Sequence, residues 1–237
     1  MFLFRKRCIF CGFRLEPYDC FWNDRLISVC KDCYKELDTA NTPRIFDTPE
    51  HINAVYPTIV YKGDARSAIQ SYKFFDHPRY GRAFSALMTD HLSNYPELLR
   101  FDTVVTVPIS DRRRMERGYN QSEMLAKAVA EHLGLELRND LLIKFLDTKK
   151  QSSLSTRDRR YNLTGAYAAD ADAKGRSILL VDDIYTTGAT MEECAAMLTF
   201  AGAKIIVGIT LAAVERRPKA QPYNPFAYGV DYSKKRK

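Results

Sequence analysis

No stretch of the 237 residues approaches the roughly 18 consecutive apolar side chains that cross a bilayer, so no membrane insertion is expected. The opening MFLFRKRC lacks the long apolar stretch and small-residue cleavage site of a secretory signal, and a cytoplasmic chain is expected. The 11 glycines never fall in a G-x-G-x-x-G or G-x-x-x-x-G-K run, which argues against a dinucleotide-binding fingerprint and a Walker A loop. No internal repeat is visible. Cysteine is nearly absent after residue 33, where Cys194 stands alone and reads as a small core residue on a helix.

What is present is a chain that is 46% hydrophobic, enough to bury a sizeable core. Its net charge of +7 suggests an anionic partner: nucleic acid, a polyphosphate or an acidic surface. Lys and Arg crowd residues 112–117, 144–160 and 216–237, and each run also has the plain reading of a solvated surface.

Five of the six cysteines fall within the first 33 residues. Cys8 and Cys11 form one C-x-x-C pair, Cys30 and Cys33 another, with eighteen residues between them, inside the window for a four-cysteine zinc site. Each pair puts two thiolates on one tight turn, and two such knuckles supply a tetrahedral sulfur shell. Gly12 follows the first pair, where a knuckle turn often needs a positive φ. Two disulfides, or a redox C-x-x-C, are the alternatives; a cytosolic setting disfavours the first and the lack of a surrounding βαβ pattern the second. The zinc is expected to be structural, because four sulfur ligands leave no open position and about forty residues need a staple. Cys20 reads as a spare thiol.

The prolines at 43 and 49 mark a turn-rich exit from this module. The expected organisation is a zinc-ribbon module over 1–45, a linker over 46–52, an α/β domain over 53–214 and a basic tail over 215–237. Apolar, β-branched runs predict strands at 54–61, 103–107, 141–145, 177–181 and 204–212. Helices are predicted over 119–133, with Asn120 and Glu123 at capping-box spacing and Gly134 as the stop, and over 191–201, with Thr190 and Glu193 as a second box and Gly202 beyond. Strands alternating with helices argue for a mainly parallel sheet flanked by helices.

The run at 178–181 ends in Asp182 and Asp183, passes Ile184 and Tyr185, and enters Thr186, Thr187, Gly188, Ala189 and Thr190 ahead of a helix. A carboxylate pair at the end of a parallel strand can accept hydrogen bonds from two vicinal hydroxyls and can sit near Mg²⁺. The hydroxyl-rich turn presents N–H groups and a helix N-terminus to a phosphate. An ordinary strand-turn-helix is the plain alternative. The segment resembles the motif with which type I phosphoribosyltransferases bind phosphoribosyl pyrophosphate (PRPP). That resemblance implies that Asp182 and Asp183 hold the ribose 2′ and 3′ hydroxyls and that Thr186, Thr187, Gly188, Ala189 and Thr190 cradle the 5′-phosphate.

The strand at 103–107 leads into the loop DRRRMERGYNQS, whose Arg112, Arg113, Arg114 and Arg117 can meet a pyrophosphate through forked bonds, with Gly118 allowing close approach. An exposed basic turn is the rival reading. The zinc cysteines, RGYNQ, the stretch Gln151, Ser152, Ser153, Leu154 with Arg157, Arg160 and Asn162, and VDDIYTTGAT occur in one order on one chain. Together they are similar to the ComF family, as are Tyr61-Lys62-Gly63 and Lys73, over roughly residues 8–214. The resemblance implies a four-cysteine module joined to a phosphoribosyltransferase-like domain, with Arg117, Gly118 and Lys73 among the PRPP contacts and residues 151–160 in a hood over the ligand. It also implies a role in natural competence, where incoming single-stranded DNA is handled with helicase-like and recombination-mediator partners.

Two readings of the chemistry follow. As a transferase, the domain would use Mg²⁺ and arginines to neutralise departing pyrophosphate while C1′ becomes oxocarbenium-like; no base-reading signature identifies the acceptor. As a binding module, it would hold single-stranded DNA by its basic loops, with Tyr119, Tyr161 and Phe145 available to stack on bases, although such aromatics are more often core or rim residues. The zinc module would serve as a staple or as a platform for a protein partner.

Overall fold

The structure is a computed structural model and describes residues 7–15, 21–22, 25–26, 28–37, 39, 51–74, 78–145 and 165–214. Cys20, the hood residues 151–160, Tyr161, Asn162, most of the linker and the tail from residue 215 lie outside the described residues. Among those described, no helix is long and apolar enough to cross a membrane.

The N-terminal module has a two-stranded antiparallel pair, β1 (Phe21–Trp22) and β2 (Arg25–Leu26), and a short helix α1 (Lys31–Glu36). Then come β3 (Ala54–Val60), α2 (Gly63–Phe74), α3 (Pro78–Leu92), β4 (Thr103–Thr106), α4 (Asp111–Arg117), α5 (Gln121–Leu133) and β5 (Glu136–Leu137). A pair, β6 (Leu142–Lys144) and β7 (Tyr167–Ala169), precedes β8 (Ser177–Tyr185), α6 (Ala189–Phe200) and β9 (Ile205–Ala213).

The central sheet has five strands in the order β3-β9-β8-β4-β5, and every pairing in it is parallel. Its faces are covered differently. One carries α2, α3 and α5, whose Ile69, Tyr72, Phe84, Met88, Leu125 and Val129 pack on Leu179, Val181, Val207 and Ile209. The other carries α6 and the antiparallel β6–β7 pair, with Met191, Cys194 and Leu198 against Ile178, Leu180 and Ile206. Both faces being covered explains why residues 178–181 of β8 and most of β9 are apolar instead of alternating. The strand predicted at 141–145 thus forms, but outside the main sheet.

Three local readings need correction. DRRRMERGYNQS does not form one loop: its first half is the helix α4. Ser110 caps it, its hydroxyl accepting from the Arg113 N–H at 3.4 Å, and Gly118 closes it at φ 79° while donating to the Arg114 carbonyl. Arg, Met and Glu are strong helix formers, and the Arg112–Glu116 pair sits at helical spacing. The box at Asn120 is half made: its side chain accepts from Ser122 N–H, but the Glu123 carboxylate turns to Arg114. The box at Thr190 is not made, because Gly188 in the left-handed region takes the cap position of α6 and Glu193 accepts instead from the Gly165 N–H at 2.9 Å.

The cysteine module shares the domain's core. Ile9 and Val29 are buried in the same cluster as Phe84 and Leu87 of α3, and Phe10, Cys33, Tyr34 and Leu37 pack against that cluster. Thr39 bridges Ile59 on the edge strand β3.

Candidate functional site

From β4 the chain moves outward to β5, whereas from β8 it moves the other way to β9. The carboxyl ends of β4 and β8 therefore border the point where the strand order reverses, the crevice in which open parallel sheets receive ligands. The two segments singled out in the sequence follow these two strands.

β8 carries Asp182 and Asp183 in its last turn of pleat. Asp183 receives Lys73, from the last turn of α2, with Nζ at 3.0 and 2.8 Å from its two carboxylate oxygens. Asp182 accepts from the Ser122 hydroxyl at 3.1 Å and from the Asp183 N–H at 2.8 Å through the same oxygen, Oδ1. Part of the Asp182 residue reaches solvent, yet its carboxylate is enclosed, and burial first, then the charge of Asp183, pushes its pKa up to about 7 against the pull of Lys73 and these hydrogen bonds. On the α6 side, Tyr167 and Cys194 are buried close enough to Asp182 to feel its charge, both raised by burial first. Lys144 donates to the Tyr167 hydroxyl at 3.1 Å, and Arg113 acts on the same phenol, lowering its pKa in part.

After β8, Thr186, Thr187, Gly188, Ala189 and Thr190 are all half-buried and lead into the first turn of α6. The Thr187 hydroxyl accepts from the Ala189 N–H at 3.4 Å. Gly188 has φ 85°, and a Cβ there would run into the ring and hydroxyl of Tyr185. A turn of this kind ahead of a helix N-terminus is a setting in which an anion can be held.

Of the arginines, Arg117 donates to Gln121 Oε1 at 3.1 Å beside Gly118, while Arg112 and Arg114 are engaged by Glu116 and Glu123. Sequence reasoning placed Lys73 among PRPP contacts; here its Nζ meets Asp183 directly. It missed Ser122 and the framework around it. Asn120 Nδ2 donates to the Val107 carbonyl at 3.3 Å, Gln121 Nε2 to the Lys73 carbonyl at 3.3 Å, and the Tyr72 hydroxyl to the Gln121 carbonyl at 2.9 Å. The only sequence signal was that these residues sit in or beside the RGYNQ motif.

Cys8, Cys11, Cys30 and Cys33 hold their four Sγ atoms within 4.8 Å of one another, poised for a metal ion. Zn–S bonds of about 2.3 Å in a tetrahedron imply S···S edges of about 3.8 Å, and Cys11 and Cys30 stand at 3.8 Å. Gly12 has φ 74°, with its N–H donating to the Cys8 carbonyl, and Cys30 caps α1 by accepting from Cys33 N–H. All-sulfur donors in this arrangement fit zinc.

A family model described as the phosphoribosyl transferase domain matches residues 120–230. The DNA utilization protein YhgH of Escherichia coli O157:H7 is 34% identical over 105 residues, 44% of this chain and 46% of that protein, so this match spans about half of the relative's length. YhgH of Escherichia coli K12 is 34% identical over 184 residues, covering 76% of this chain and 81% of the relative. Competence protein ComFC of Streptococcus pneumoniae is 26% identical over 228 residues, 86% of this chain and 99% of that protein. With a parallel sheet of type I phosphoribosyltransferase arrangement behind a four-cysteine cluster, and relatives of these lengths and identities, the chain belongs to the ComF family.

Proposed function

We propose that this protein binds PRPP at the carboxyl ends of β4 and β8 and acts in the handling of incoming single-stranded DNA. The carrying observation is the juxtaposition, at one switch point, of an enclosed carboxylate pair and a glycine-opened helix N-terminus. Asp182 and Asp183 accept the ribose 2′ and 3′ hydroxyls, and the N–H and hydroxyl groups of Thr186, Thr187, Gly188, Ala189 and Thr190 take the 5′-phosphate. Arg117 and Gly118, across the crevice, serve the pyrophosphate. Lys73 neutralises Asp183 until hydroxyls or a cation share its charge. Mg²⁺ fits this oxygen-rich position and supplies neutralisation of pyrophosphate charge. Zinc in the four-cysteine site is structural. The organisation into 1–45, 46–52, 53–214 and 215–237, and residence in the cytoplasm, belong to the same proposal.

The names of the relatives, DNA utilization and competence, support the biological half of this reading. A transferase would set the arginines against the charge of the leaving group while a nucleophile attacks C1′. A second reading, a non-catalytic PRPP-regulated module, is favoured by one observation: Phe145, just after β6, is exposed and offers a ring on which a base can stack, with Ile143 exposed on the same strand. A phosphoribosyltransferase of nucleotide metabolism, and helicase-like and recombination-mediator partners, are carried forward by the family likeness.

Calorimetry of the full chain with PRPP and Mg²⁺ tests the central claim: saturable binding, lost in Asp183→Asn, is expected, and no heat with PRPP rejects it. Pyrophosphate release across nucleobases, amines and single-stranded DNA then separates transfer from binding alone.

A further inference from the structure

We infer that Phe10, on the first cysteine knuckle, is a positioning residue for Lys73, so that the four-cysteine module sets the geometry of the acidic pair. Phe10 lies between Cys8 and Cys11, and its ring meets that of Phe84 edge-on with centroids 6.2 Å apart. Phe84, fully buried on α3, meets Tyr72 of α2 at 5.4 Å in the same edge-on manner. Tyr72 is then fixed three times over: its ring lies 6.1 Å from Tyr119, its hydroxyl donates to the Gln121 carbonyl at 2.9 Å, and its carbonyl accepts from the Tyr119 hydroxyl at 2.9 Å. The next residue is Lys73, whose carbonyl accepts from Gln121 and whose Nζ grips Asp183.

A lysine reaches its partner through a long flexible stem, so the position of Nζ is set by how firmly its backbone is held. Here the backbone belongs to the last turn of α2, a place where helices ordinarily fray. The aromatic contacts of Tyr72 oppose that fraying, and Phe84, which backs Tyr72, is itself met by Phe10. The knuckle is itself anchored, with the Ile9 N–H donating to the Ser28 carbonyl at 2.8 Å and with Ile9 and Val29 buried in the same cluster. Truncating the half-buried Phe10 removes the ring packed against Phe84, and a partly relaxing core passes that slack to its neighbours.

The inference rests on the proposed ligand site only in its binding arm. In the full chain, Phe10→Ala and, away from the knuckle, Phe84→Leu are compared with wild type for zinc content, deuterium exchange of amides 72–74 and PRPP affinity. Zinc content is expected to hold, exchange at 72–74 to quicken about tenfold, and PRPP affinity to fall about tenfold, with Phe10→Leu recovering most of both. In a Lys73→Met background, Phe10→Ala should cost no further affinity, because its effect runs through the lysine; a purely structural role would subtract the same amount in either background. Unchanged exchange at 72–74 in both Phe10→Ala and Phe84→Leu overturns the inference. If the wild type binds no PRPP, the proposed function falls while the exchange measurement still decides this one.

Discussion

Asp182 pairs a buried carboxylate with a charged neighbour, and the pH behaviour of the protein follows from that. Its folded pKa, about 7, lies above the unfolded 3.8, so the folded chain keeps a proton that the unfolded chain releases. The sign is then fixed: its contribution to stability is whole below the unfolded value and declines as pH rises from about 4 to about 7. Asp182→Asn retains an oxygen to accept from Ser122 and the Asp183 N–H but cannot ionise, so its melting temperature should fall less across this window than that of the wild type. Parallel melting profiles for the two proteins would remove Asp182 as the titrating group. Gly188 makes a sharper demand. A side chain at φ 85° costs about 1–2 kcal/mol before any contact, and here the added Cβ also meets Tyr185. Gly188→Ala should lower stability by about 2 kcal/mol or more in urea titration and weaken PRPP binding, whereas an effect below about 0.5 kcal/mol would mean that the loop relaxes freely.

At the scale of elements, the approach of α6 to the sheet decides where its N-terminus sits. Gly208 of β9 lies between Val55 of β3 and Leu180 of β8, and a Cβ there would meet Met191, Val55 and Ile52, all buried. Met191 is in the first turn of α6, so crowding at Gly208 lifts the end of the helix that carries Ala189 and Thr190. Gly208→Ala should cost about 1–3 kcal/mol by overpacking and reduce PRPP affinity. Gly81→Ala on α3 is the contrasting case. Its Cβ would meet Met124, a flexible and partly exposed side chain, and helix propensity returns about 1 kcal/mol, so near-neutral stability is expected from the same urea titration. The apolar β-branched runs of β3, β4, β8 and β9 were legible because a strand covered on both faces needs little else. The helix α4 was not, since DRRRMER has no apolar face and forms through its caps, Ser110 and Gly118. Nor could the partners of the acidic pair be read from sequence. Lys73 and Ser122 stand 110 and 60 residues from Asp183 and Asp182, and only the strand order brings them together.

For the molecule as a whole, the question is whether the four-cysteine module is a separate bead or part of one cooperative unit. The burial of Ile9 and Val29 among residues of α3, and the bridge from Thr39 to β3, argue for one unit. Without a metal, the module has two buried apolar anchors, a few partly buried contacts and two knuckles to hold against the entropy of some thirty residues, which small modules do not manage unaided. Exposing Ile9 and Val29 removes about 1.5–3 kcal/mol of burial each. In a chain of this size each kcal/mol moves the midpoint by about 2–4 °C. Zinc removal by a strong chelator should therefore lower the single melting transition by on the order of 10 °C, with near-ultraviolet signal from the Phe84–Tyr72 region lost in the same step. A bead on a string would behave otherwise, with the large transition unmoved and only a small early change. If the melting midpoint is independent of zinc, the shared core is not contributing to the stability of the parallel-sheet domain.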